Sequence, residues 1–60
     1  MDEAKADAIA VGWLTLWRYD KQTKAQIRKR LSELPEEHQP LVRERLQFHE
    51  PAYKAKRGIR

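Results

Sequence analysis

Residues 17–27 read WRYDKQTKAQI, and whether the chain keeps winding through them or stops near Asp20 decides the fold. Two local signals compete. Thr23 and Gln26 match a capping box, in which a Ser or Thr side chain accepts from the backbone N–H three residues on and a Glu or Gln there reaches back. That signal ends a first helix near Asp20 and restarts it at Thr23. Against it stands the phase of the apolar residues. Stepping alternately by four and three from Ala6 visits Ala6, Ala10, Trp13, Trp17, Asp20, Lys24, Ile27, Leu31 and Leu34, of which seven are apolar. A break has no reason to preserve a 3.5-residue repeat across itself, whereas one continuous helix does so automatically. The two polar positions, Asp20 and Lys24, are an acid four residues before a base, a helical pair that contributes roughly 0.2–0.5 kcal/mol. The phase therefore favours a single helix of about 30 residues, some 45 Å at about 1.5 Å per residue. A kink at 20–23 is the alternative.

Outward from this stretch the chain holds few breakers. No proline and only one glycine, Gly12, occur between Glu3 and Leu34. Pro35 ends the first helix, because the residue before a proline is pushed out of the helical region. Pro40 could not sit five residues into a helix begun at Pro35, so the second helix starts near Pro40 with PEEHQ as the connection. Its apolar positions are Leu41, Val42, Leu46, Phe48 and Tyr53, and Pro51 ends or bends it. The fold expected is all-α: an antiparallel helical hairpin over residues 1–50, with a long first and a shorter second helix, followed by a flexible basic tail over 51–60.

The stretch AIAVGWLTLW, residues 8–17, has eight apolar residues in ten, within a chain that is 37% charged. On a helical wheel its large side chains cover an arc of roughly 160°, wider than a second helix of about ten to twelve residues can bury. A chain of 60 residues buries little surface by itself. It also has no cysteine with which to staple itself. The expectation is a homodimer, with the tryptophan faces packed together into a helical bundle. Its core and dimer residues are Ile9, Ala10, Trp13, Leu14, Leu16, Trp17, Ile27, Leu31, Leu34, Val42 and Leu46.

Net charge is +4, in blocks of −2 over 1–20, +4 over 21–34, −2 over 35–50 and +4 over 51–60. The basic blocks suit an anionic partner. The contacts would come from Arg28, Lys29, Arg30, Lys54, Lys56, Arg57 and Arg60. The ten-residue apolar run is too short to span a membrane, which takes about 20 residues. Acidic rather than basic residues precede it, unlike a signal peptide. With no cysteine, this reads as a cytoplasmic protein.

There is no Gly-rich phosphate loop, no HExxH and no Ser/His/Asp set at a familiar spacing. His38 and His49 each lie beside a glutamate, but neighbouring residues on a helix diverge and do not converge on a metal. No enzyme, metal or cofactor is expected.

The segments GWLTLWRYDKQTK (12–24) and LPEEHQPLVRERLQFH (34–49) resemble the short early lytic proteins encoded in the exo–xis region of lambdoid bacteriophages. The resemblance spans nearly the whole chain. It implies a phage protein made early in infection, one of a group whose overproduction favours lytic development over lysogeny and disturbs the host cell cycle. It implies no catalytic residues. The segment LSELPEEHQPLVRERLQFH (31–49) is also similar to the Rop family of plasmid copy-number regulators, dimers of helical hairpins that bind paired RNA loops. The shared features are a Leu-x-Glu-Leu, a Gln, a Val/Ile, a Glu-x-Leu and a His at like spacing, mostly heptad positions. Pro40 departs from that pattern. Two functions follow: a protein-interaction module that modulates an unidentified host or phage protein, which is favoured, and a nucleic-acid-binding dimer that uses the Lys/Arg blocks.

Overall fold

Asp20 stops the first helix. In the computed structural model, which describes residues 1–57, α1 spans Glu3–Arg18, α2 Lys24–Ser32 and α3 Gln39–Arg57, with a 3₁₀ turn at Glu36–His38. The single long helix expected through residues 20–23 is thus corrected to two helices and a turn. Lys21 N–H donates to the Leu16 carbonyl at 2.8 Å and Asp20 N–H to the Trp17 carbonyl at 3.0 Å, the paired bonds of a Schellman ending. Asp20 sits between them at φ 61°, a left-handed conformation that Asp tolerates better than most residues. Thr23 then opens α2. Its Oγ1 accepts from Gln26 N–H at 3.1 Å, while its own N–H donates to Gln26 Oε1 at 2.9 Å. The capping box outweighs the phase argument, because the 4-3 spacing survives a turn that leaves both helices facing one core.

The break reverses the chain. Asp7 of α1 meets Arg45 and His49 of α3, and Asp20 meets Arg57. Both contacts advance together, so α1 and α3 run in the same direction. Lys24 at the start of α2 pairs with Glu50 late in α3, so α2 runs the opposite way. The two-helix hairpin is therefore replaced by an up-down-up set of three helices, with α1 and α2 packed on α3. Ala6, Ala10, Leu14 and Trp17 of α1, Ile27 of α2, and Val42 and Leu46 of α3 form the buried core.

The expectation of a flexible tail from Pro51 is corrected for residues 51–57, which continue α3. Gly58, Ile59 and Arg60 lie outside the described residues. A proline inside a helix costs about 3 kcal/mol, and the segment beyond it gains contacts that offset this. Tyr53 packs half-buried against the core. Arg57 donates to the Trp17 carbonyl at 3.1 Å, reaches Asp20 Oδ1 at 2.5 Å, and lies 4.9 Å from the Trp17 ring centre. At 19 residues, α3 is long enough to reach Trp17, which a shorter second helix would leave open, while Ile9 and Trp13 stay half-buried. Trp17 is only 8% exposed within one chain.

Candidate interaction site

Ile27 and Leu31, four residues apart on α2, share one helical face. They line a groove of about 280 Å³ whose other wall is α3, with Leu46 and, from α1, Leu14. Arg28 stands on the α2 lip and Arg43 on the α3 lip, beside Gln47. Both arginines are exposed, and neither makes an ion pair among the described residues. Lys24 and Glu50 also line the groove, and there the charges are paired. An open apolar channel with cationic lips is suited to the apolar ridge of a helix flanked by acidic residues.

The residues singled out from the sequence separate into three groups. Ala10, Leu14, Trp17, Ile27, Val42 and Leu46 are buried inside one chain, and Ile9, Trp13, Leu31 and Leu34 are half-buried against them. Leu16 is 41% exposed and points away from this core. The anionic-partner set does not form one surface. Arg28, Lys29 and Arg30 are exposed but successive, so they fan out at about 100° intervals around α2. Lys54 is exposed, Lys56 lies over the Tyr53 ring at 5.0 Å, Arg57 is engaged at the end of α1, and Arg60 lies outside the described residues.

Sequence reasoning missed Arg43 and Gln47, whose four-residue spacing on α3 was the available signal. It also missed the polar seam between α1 and α3. Arg45 Nε donates to Asp7 Oδ1 at 2.9 Å, its Nη1 reaches Glu3 at 3.1 Å, and His49 Nε2 lies 2.6 Å from the same Asp7 oxygen. The hydrogen bond from His49, helped by Arg45 and opposed by partial desolvation, holds the Asp7 carboxyl below its ordinary value. No sequence signal pointed to Gln22 either. It is buried in the α1–α2 turn, where its side-chain amide donates to the Trp13 carbonyl at 3.4 Å.

Among the described residues no three His, Cys, Asp or Glu side chains gather as a metal would need, and no helix is long and apolar enough to cross a membrane. No protein-family model matches the chain, and no similarity was found to a curated protein or to a solved structure.

Proposed function

We propose that this chain is a non-enzymatic helical protein-interaction module, and that its α2–α3 groove receives an amphipathic helix with acidic flanks from a regulatory protein. The carrying observation is the juxtaposition of an apolar floor, Ile27, Leu31, Leu46 and Leu14, with two exposed lip cations, Arg28 and Arg43. Apolar contact gives such an interface its affinity, and complementary charge fixes which partner docks and in which register. The resemblance of residues 12–24 and 34–49 to short early lytic phage proteins supports a setting in the host cytoplasm early in infection. There the bound regulator would be of host or phage origin, with lytic development favoured.

This reading is preferred over nucleic-acid binding because Arg28, Lys29 and Arg30 diverge and Arg57 is already occupied, whereas phosphate binding draws on a concerted basic face. The test is affinity capture from nuclease-treated host lysate, with the wild-type chain and with a double variant carrying Arg28→Glu and Arg43→Glu. The reversal should abolish capture while leaving helicity unchanged. Equal capture by both proteins, or sequence-selective nucleic-acid binding that persists at about 150 mM salt, would overturn the proposal.

A further inference from the structure

Lys21, Lys29 and Arg30 line one polar hollow of about 370 Å³ at the start and along the flank of α2, together with Gln22, Gln26 and Glu33. It shares no residue with the α2–α3 groove. Helical spacing assembles it: Gln26, Lys29, Arg30 and Glu33 follow in steps of three and four, which places them on one side of α2. Lys21 and Gln22 join them from the turn before Thr23. All three cations are exposed, and none makes an ion pair among the described residues. Lys24, Arg45 and Arg57, by contrast, each hold a carboxylate.

The same hollow holds neutral donors and acceptors. Gln22 is only 5% exposed, and its Nε2 donates to the Trp13 carbonyl, which pins the amide and leaves its Oε1 as an acceptor. Gln26 Oε1 accepts from Thr23 N–H in the capping box, so its Nε2 is left as a donor. Glu33 follows Arg30 and Lys29 by three and four residues, the spacing of a helical ion pair, yet it pairs with neither.

We propose that this hollow binds a small phosphate-bearing anion that also carries an O–H, of which hydrogen phosphate is the simplest. Three cations against the one carboxylate of Glu33 leave a net charge of +2, which the hydrogen phosphate dianion balances. The cations donate to its bare oxygens in charge-assisted bonds, with the Gln26 amide beside them. Glu33 accepts from the O–H. That carboxylate makes the site selective: sulfate has the same charge and shape but no proton at neutral pH, so it would face Glu33 with repulsion and no hydrogen bond. A nucleic-acid backbone fits less well, because each phosphodiester carries one charge and no O–H, and Arg28 lines the groove instead.

The test is titration of the full chain, followed by NMR at neutral pH and constant ionic strength, with inorganic phosphate, glycerol 3-phosphate, sulfate and a short single-stranded RNA. Both phosphates should give saturable shifts confined to residues 21–33, and the tighter of the two identifies the source as the free ion or an ester. Inorganic phosphate should bind several-fold more tightly than sulfate. Lys29→Gln and Arg30→Gln, at exposed positions, should each weaken phosphate several-fold with unchanged helicity, whereas Arg28→Gln should leave it as it was. Glu33→Gln should raise sulfate to the affinity of phosphate. Shifts that never saturate, equal binding of phosphate and sulfate by the wild type, a preference that survives Glu33→Gln, or RNA bound more tightly than either phosphate would overturn the proposal. The groove experiment reverses Arg28 and Arg43, neither of which lines the hollow, so the two proposals fail separately.

Discussion

Two aspartates do different work in this small chain, and pH separates them. Asp7 is held below its ordinary value by His49 and Arg45. In the unfolded chain it returns to about 3.8, the value of a free Asp. A carboxyl that binds its proton less readily in the fold adds stability that is fully present above the unfolded value and is lost as pH falls through the lower, folded one. The wild-type thermal midpoint should therefore fall as the solution is acidified below about pH 4, and Asp7→Asn should flatten that part of the curve. Equal acid sensitivity in both proteins would show that the seam carries none of it. Asp20 acts through its backbone. Its left-handed φ closes α1, and its carboxylate then holds Arg57 at the same corner.

At the scale of the element, the turn at residues 19–23 shows what the sequence could and could not tell. The capping box of Thr23 and Gln26 was legible, and so were the all-helical class, the breaker at Pro35 and a start for the last helix near Pro40. The break itself lost to a phase argument that assumed a turn must scramble the apolar repeat. It does not, because α1 and α2 both point into the core against α3, and the only polar positions in the repeat, Asp20 and Lys24, are those at the turn. Nor was the left-handed residue legible, since it is an aspartate where a glycine is the common signal. Backbone chemical shifts at Tyr19 to Thr23 should accordingly be non-helical, with Asp20 in the left-handed range. Thr23→Ala should cost about 1 kcal/mol of stability by removing the accepting side chain of the cap. Helical shifts throughout, with a neutral Thr23→Ala, would restore the continuous helix.

At the scale of the molecule, the decisive fact is how one chain of this length covers its own Trp17. Read from the sequence, Pro51 ends or bends the second helix, and a dimer supplies the cover. Helical continuation to Arg57 supplies it within the chain, through Tyr53 at the core edge and the Arg57 guanidinium against the Trp17 ring. Pro51 misled because its cost is local, while the contacts that offset it come from α1, about 40 residues away in sequence. At roughly 0.05–0.15 kcal/mol per residue, a chain this short has a stability of only about 3–9 kcal/mol. Uncovering a large buried side chain gives up about 1.5–3 kcal/mol of that. Deleting residues 51–60 should therefore lower the thermal midpoint markedly and shift Trp17 fluorescence toward that of a solvated ring. Tyr53→Ala and Arg57→Ala should each reproduce part of the loss. A truncated chain with the stability and fluorescence of the full one would mean that the segment beyond Pro51 covers nothing, and the single-chain cover would have to be abandoned in favour of one shared between copies.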